Sequence, residues 1–183
     1  MYSAAILAGG EATRFGGRDK SALVVDGRTI LDRQLEMLSA VADEVQVVRE
    51  DLVPGCGPLG GVHTALARTG HDLLFVLACD MPYVTAPFVS FLLTLAGSWD
   101  LVVPRTERGY HSLCAVYRRT CLAPIARRIA ERRLKMTDVF SDVRVREVSS
   151  GELDAFGDRE RLLANVNTPA EFAGLEALQG HKL

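Results

Sequence analysis

The sequence lacks most of the features that would tie a chain to an oxidising compartment, a membrane or a polyanion. Its four cysteines, Cys56, Cys79, Cys114 and Cys121, are scattered, with no C-x-x-C pair and no histidine at zinc-finger spacing. That spacing excludes a zinc finger and offers no disulfide framework, so the four read as buried or free thiols. The opening Met1-Tyr2-Ser3-Ala4-Ala5 has no basic segment of a leader, and no apolar run is long enough to span a bilayer. A cytoplasmic protein with no membrane association is the expectation. The net charge is only −2 over 183 residues, which gives no whole-chain electrostatic case for nucleic acid. Any basic site must therefore be local. No repeat or low-complexity segment appears, and 183 residues suffice for a single domain, 1–183, with a substantial core.

Two familiar phosphate motifs are also missing. A P-loop needs G-x-x-x-x-G-K-[ST], but here Lys20 follows Arg18-Asp19 rather than a glycine. The dinucleotide fingerprint G-x-G-x-x-G fails as well, because Gly9 and Gly10 are adjacent and the next glycine is Gly16. What is present is the run Leu7-Ala8-Gly9-Gly10-Glu11-Ala12-Thr13-Arg14-Phe15-Gly16-Gly17-Arg18-Asp19-Lys20, on the end of an apolar segment from Ala4 to Leu7. Glycines let backbone N–H groups approach phosphate oxygens closely, while Arg14 supplies a planar fork of donors and Lys20 a compact charge. The run reads as a triphosphate cradle or, on its composition alone, as a glycine-rich turn after a strand.

The rest of the chain alternates strand-like apolar runs with segments of helical period, the pattern of a three-layer α/β domain with a mostly parallel sheet. Thr29 should cap a helix with Leu31, Leu35 and Leu38 on one face, in a structural role. A strand is expected over Glu44 to Val48 and a helix over Gly61 to Arg68. His63 is open to two readings, packing residue or ligand. His71 to Ala78 is apolar on both faces and should be the central strand. It delivers Asp80 to its carboxyl end, where a carboxylate can bind Mg²⁺ or merely cap the following turn. Thr85 and Pro87 should start the next helix. Strands are then expected near Asp100 to Pro104, Leu113 to Tyr117 and Val143 to Val148, with a polar hairpin loop that includes His111 between the first two. A helix over Leu122 to Leu134 carries Arg127, Arg128, Arg132 and Arg133 against Glu131 alone, with Arg118, Arg119 and Lys135 flanking it. This is either a solvated face or a docking surface for an acidic partner. Ser149 to Arg161 reads as an acidic loop. Asn165 and Asn167, two apart on an extended segment, present paired amides on one side. Thr168-Pro169-Ala170-Glu171 then reads as a helix start.

Four segments in order, Leu7 to Lys20, Gly57-Pro58-Leu59-Gly60-Gly61, Ala78-Cys79-Asp80-Met81-Pro82 and Asn165-Val166-Asn167-Thr168-Pro169, resemble the molybdenum cofactor guanylyltransferases (MobA family). The resemblance implies a Rossmann-like nucleotidyltransferase fold and transfer of GMP from GTP to the molybdopterin cofactor, with release of pyrophosphate. It implies that Leu7, Ala8, Gly9, Gly10 and Lys20 contact the nucleotide, that Asp51 holds the nucleoside, and that Asp80 binds Mg²⁺. Arg14, Lys20 and Asp80 would be the catalytic set, with Asn165 and Asn167 on the pterin side. Molybdoenzymes or other cofactor-biosynthesis proteins would be partners. The chain departs from the family pattern in its short Val48 to Asp51 connection, in Ser112 after His111, and in Ala164 before Asn165. Two other functions share the motifs. One is a cytidylyl- or sugar-1-phosphate nucleotidyltransferase; the other is a non-catalytic nucleotide carrier, which would have no need of Asp80.

Overall fold

Residues 1–9, 24–25, 27–166 and 171 are described by a computed structural model of the chain. Gly10, Arg14, Lys20 and Asn167 lie outside the described residues, as do Thr168 and Pro169 of the expected helix start.

The apolar opening run forms β1 (Ser3–Leu7), buried along its whole length. A short ribbon follows, β2 (Val24–Val25) antiparallel to β3 (Arg28–Thr29). Thr29 then caps α1 (Ile30–Ser39) by accepting the Asp32 N–H at 3.0 Å, and its hydroxyl donates to the Asp32 carboxylate at 2.6 Å. The cap satisfies a backbone donor that would otherwise be orphaned at the helix end. Then come β4 (Glu44–Val48), α2 (Gly57–Arg68), β5 (Leu73–Ala78), α3 (Ala86–Thr94), β6 (Leu101–Thr106), β7 (Gly109–Tyr110), β8 (Cys114–Arg118), α4 (Leu122–Ala130) and β9 (Val145–Val148). Two one-turn helices close the described order, α5 (Ser150–Leu153) and α6 (Arg159–Leu162).

The main sheet runs β4-β1-β5-β8-β6-β7, with β9 on the other side of β6. β4, β1 and β5 are mutually parallel; β8 is antiparallel to both β5 and β6, and β9 is parallel to β6. Five strands thus share one direction and β7 and β8 oppose it, the mostly parallel Rossmann-like sheet expected. Alternation along the strands splits the interior into two cores. Ala4, Ile6, Phe75 and Leu77 pack with Leu38 of α1 and Phe88 and Leu92 of α3. Ala5, Leu7, Leu74 and Val76 pack with Leu59, Val62 and Leu66 of α2 and Ile125 of α4. Each Leu, Ile, Val or Phe among them, fully buried, is worth about 2 kcal/mol of apolar transfer. All four cysteines are buried and free, as their spacing suggested.

Several local readings need correction. α2 begins at Gly57, four residues before the expected start, with Pro58 in its first turn; Gly60 and Gly61 inside it leave room for the Asp51 carboxylate of the neighbouring loop. α4 stops at Ala130 rather than Leu134, because Arg132 adopts a left-handed backbone, φ 57°. The Arg133 N–H closes back on the Arg128 carbonyl at 2.9 Å and the Arg132 N–H on Ile129 at 3.0 Å, a Schellman ending. Nor is the basic segment opposed by Glu131 alone. Arg128 is buried at 3% exposure and pairs through Nε with Asp142 at 2.6 Å, and Arg127 reaches the same carboxylate at 3.1 Å. Arg118 pairs with Asp72. The supposed acidic loop is instead α5, a 3-10 turn (Asp154–Phe156) and α6, started by a Ser149–Glu152 capping box and an Asp158 cap. Thr85 stands at the start of α3 without donating or accepting a cap hydrogen bond through its side chain.

Candidate active site

The strand order places a topological switch beside β1. From β1 the chain turns through α1 to β4 on one flank, then returns through α2 to β5 on the other. Ligands of open α/β sheets bind outside the carboxyl ends of strands at such a switch.

Leu7 is the common neighbour there. Its carbonyl accepts the Cys79 N–H at 3.1 Å, while the next amide, Ala8, donates to the Val48 carbonyl at 2.8 Å. The start of the glycine-rich run is thereby held between β4 and β5. Gly9 lies so close to Arg49 that a Cβ there would stand 2.4 Å from the Arg49 carbonyl oxygen, so only glycine fits. On the other side, the Leu7 side chain lies under Gly61, 3.2 Å from where a Cβ would be.

The short connection from β4 brings Asp51 straight onto the first turns of α2. Its carboxylate stands over Gly60 and Gly61, where Cβ atoms would lie 2.8 Å from Oδ2 and 3.7 Å from Oδ1. The Leu52 N–H donates to Thr64 Oγ1 at 2.8 Å and fixes the loop to the helix. Partial burial raises the Asp51 carboxyl above its ordinary range, against the opposing pull of Arg68 and then His63. His63 is thus part of the electrostatic surroundings of Asp51, with its Nδ1 buried and unpartnered.

Asp80 follows β5 in the turn Ala78–Met81. Its backbone carbonyl accepts the Val166 N–H at 2.7 Å, and its Oδ1 accepts the Asn165 Nδ2–H at 3.0 Å. Leu7, Ala8, Gly9, Asp51, Asp80 and Asn165 therefore gather at one end of the sheet. Among the described residues no group of three or more His, Cys, Asp or Glu is arranged to hold a metal. A single carboxylate oxygen donor suits Mg²⁺, which keeps water and substrate phosphates in its shell. The donor set fits that ion and not a thiolate or imidazole metal.

Beside Asn165 and Met81 opens a cleft of about 310 Å³, walled by Pro58, Tyr110, His111, Lys135 and Met136. Burial, then the charge of Arg108, pushes the His111 imidazole below its usual range, and Thr106 Oγ1 lies 3.0 Å from its Nε2. The shift favours the neutral form of this wall residue. Tyr110 and His111 belong to the polar hairpin expected between the two strands, whereas Lys135 was not legible as a wall residue, since its sequence neighbours carry no motif. Gln34 is another that sequence missed: it stands in the apolar stripe of α1 yet reaches the Asp80 turn.

The family model of the MobA-like NTP transferase domain matches residues 4–144. The chain belongs to this family. As a MobA-like NTP transferase it is a nucleotidyltransferase, and Leu7, Ala8, Gly9, Asp51 and Asp80 fall within the matched region, with Asn165 beyond it. The molybdenum cofactor guanylyltransferase of Desulfosudis oleivorans is 34% identical, over 94% of this chain and 93% of its own. A probable molybdenum cofactor guanylyltransferase of Methanosarcina acetivorans is also 34% identical, over 91% and 86%. Among solved structures, the molybdopterin-guanine dinucleotide biosynthesis protein A of Archaeoglobus fulgidus superposes with a TM-score of 0.82 at 23% identity, covering 97% of this chain and 98% of that one. The 2-C-methyl-D-erythritol 4-phosphate cytidylyltransferase of Thermus thermophilus gives 0.68 at 16% identity, covering 96% and 98%. These two likenesses establish the fold alone. Among the described residues no helix is long and apolar enough to cross a membrane.

Proposed function

We propose that this MobA-like enzyme transfers GMP from GTP to the phosphate of molybdopterin, releasing pyrophosphate. The observation that supports this reading is that Leu7, Asp51 and Asp80 lie at the carboxyl ends of β1, β4 and β5, beside a cleft edged by Asn165. The names of its relatives in Desulfosudis and Methanosarcina supply the substrate pair.

In this reading Leu7, Ala8, Gly9 and Gly10 lie along the nucleotide, Asp51 holds its nucleoside, and Arg14 and Lys20 neutralise its phosphates. An oxygen of the acceptor's phosphate monoester attacks the α-phosphorus, and the bond from that phosphorus to the oxygen bridging it to the β-phosphate breaks. The leaving pyrophosphate takes the electron pair. Little covalent help is needed from protein, because the attacking oxygen is already anionic; alignment and charge neutralisation carry the rate. When bound at Asp80, Mg²⁺ would supply part of that neutralisation. Asn165 and Asn167 orient the acceptor, with the cleft of Tyr110, His111 and Lys135 as its extension. A nucleophilic serine or cysteine has no part, consistent with all four thiols being buried. The reading carries a cytoplasmic setting, and a molybdoenzyme or another cofactor-biosynthesis protein as recipient of the product.

The choice of base is a matter of contacts in loops, and the fold is shared with a cytidylyltransferase. The test is incubation with each nucleoside triphosphate, Mg²⁺ and either molybdopterin or a sugar phosphate. Pyrophosphate release specific to GTP and molybdopterin is expected; release only with CTP, or only with a sugar phosphate, contradicts the assignment.

A further inference from the structure

We propose that Gln34 is a positioning residue for the reaction: its side-chain amide clamps both ends of the turn that carries Asp80. This rests on the reading of Asp80 as the metal carboxylate.

α1 buries one stripe, Ile30, Gln34 and Leu38, at four-residue spacing. Packing alone would be met by an apolar side chain in the middle position, as it is at the other two. The stripe instead holds a glutamine that is 2% exposed. Its Nε2 donates to the Ala78 carbonyl at 2.9 Å and to the Met81 carbonyl at 3.0 Å. Those carbonyls are the first and last of a β-turn, since the Met81 N–H also donates to Ala78 O at 3.3 Å. Cys79 and Asp80 are its two central residues. A single NH₂ group therefore spans the turn from below, one hydrogen to each end.

The orientation of the amide follows from chemistry. A flipped glutamine would set its oxygen against two carbonyl oxygens, so the two acceptors fix the NH₂ on their side. That leaves Oε1 buried without a hydrogen-bond partner. A buried unpaired acceptor is unfavourable and calls for a reason. The reason here is the donor pair on the other branch of the same amide, which no apolar residue supplies. Other ties to the turn include the Ala78 N–H to Leu113 O, the Cys79 N–H to Leu7 O, the Val166 N–H to Asp80 O and the Asn165 amide to Oδ1. None of them holds the two end carbonyls from the α1 side. With the clamp in place, the backbone of the turn is held from the α1 side while the Asn165 amide holds the Asp80 carboxylate. Groups of this kind, one step behind a metal ligand, typically change affinity or activity by about 10- to 100-fold when removed.

The test compares wild type with Gln34→Met, which keeps the length and loses both donors. Mn²⁺ binding to the enzyme with GTP is followed by the resonance of the free ion, and steady-state rates are measured alongside. Gln34→Met is expected to weaken Mn²⁺ binding about tenfold and to lower kcat about tenfold, with KM for GTP changed by less than about twofold. In the metal-free protein, hydrogen exchange in the segment 78–83 is expected to quicken. Wild-type Mn²⁺ affinity and kcat, with a change in melting temperature only, would overturn the clamp. Where Gln34→Met does not fold, Gln34→Leu, which also lacks both donors and brings no charge into the buried site, is read by the same criteria. Asp80→Ala run in parallel separates the two levels of the argument. If it keeps wild-type turnover, the metal reading and the clamp both fall. If it is inactive while Gln34→Met has wild-type metal dependence, only the clamp falls.

Discussion

Asn165 donates its side-chain N–H to Oδ1 of Asp80 at 3.0 Å, across 85 residues of sequence. This bond ties the acceptor cleft to the tip of the central strand, so two halves of the proposed reaction share one hydrogen bond. Asn165 is exposed, and its loss should cost little stability. Asn165→Ala is expected to lower kcat about tenfold with a melting temperature within about 2 °C of wild type, measured by steady-state kinetics and calorimetry. Unchanged kcat would detach Asn165 from the site.

Gly60 tests the nucleoside side. A Cβ there would stand 2.8 Å from Asp51 Oδ2 and 3.0 Å from the Cys56 Cβ. The Asp51 carboxylate, at the end of a rotatable side chain, is the group that must yield. Alanine also favours the helix over glycine by about 1 kcal/mol, which offsets the local crowding. Gly60→Ala is therefore expected to raise KM for GTP about tenfold while global stability stays near wild type. A wild-type KM would mean that the position of Asp51 is irrelevant to nucleotide binding.

Arg128 is the structural counterpart. It is buried, it holds Asp142 through Nε at 2.6 Å and Ser141 through Nη2 at 2.9 Å, and it anchors the segment 136–142 against α4. Removing it vacates a buried site and deletes both of these bonds, while the exposed Arg127 stays on Asp142. Arg128→Ala is expected to lower the melting temperature by about 5 °C or more, and Arg127→Ala, with an exposed side chain on the same carboxylate, by less than about 2 °C. Equal effects would show that burial does not distinguish the two.

Two carboxylates give the fold an acid limit. Hydrogen bonds from Arg144, with further ones from the Arg144 N–H and Thr120, hold Asp100 well below the carboxylate range. A hydrogen bond from Arg146, then the Ser149 N–H, pulls Glu152 down to about 2 from an ordinary 4.5. Both folded values are depressed, so the stability they contribute is present above the ordinary value and is lost as pH falls through the folded one. Denaturant midpoints should therefore fall between about pH 4.5 and pH 2. Glu152→Gln should flatten that slope and leave it unchanged above pH 5, as read from chemical unfolding at each pH. An equally steep acid limb in the variant would remove Glu152 from the account.

The core of the fold was legible because it is written in local periods. The apolar runs of β1 and β5, the Thr29 cap and the position of Asp80 at the end of a two-sided strand all follow from residues near one another in sequence. The candidate site residues stood out as motifs, and the described ones, Leu7, Ala8, Gly9, Asp51, Asp80 and Asn165, lie at one end of the sheet. What escaped depends on partners far along the chain or on subtler caps. Arg128 looked solvated because Asp142 lies beyond the reach of helix-face pairing rules. Nothing near Gln34 in sequence singles it out, because its acceptors are carbonyls more than forty residues away. The segment Ser149 to Arg161 looked like a loop because its helices are only one turn long and depend on their caps.

The central claim is that nucleoside triphosphate and a divalent ion meet between the end of β1 and Asp80. The most direct measurement is a crystal structure of the protein with GTP and Mn²⁺, the ion located by its anomalous signal. The account expects the metal peak in contact with an Asp80 oxygen and with phosphate oxygens, and the triphosphate along Leu7, Ala8 and Gly9. A metal site away from Asp80, or a nucleotide bound without approaching the end of β1, would contradict it.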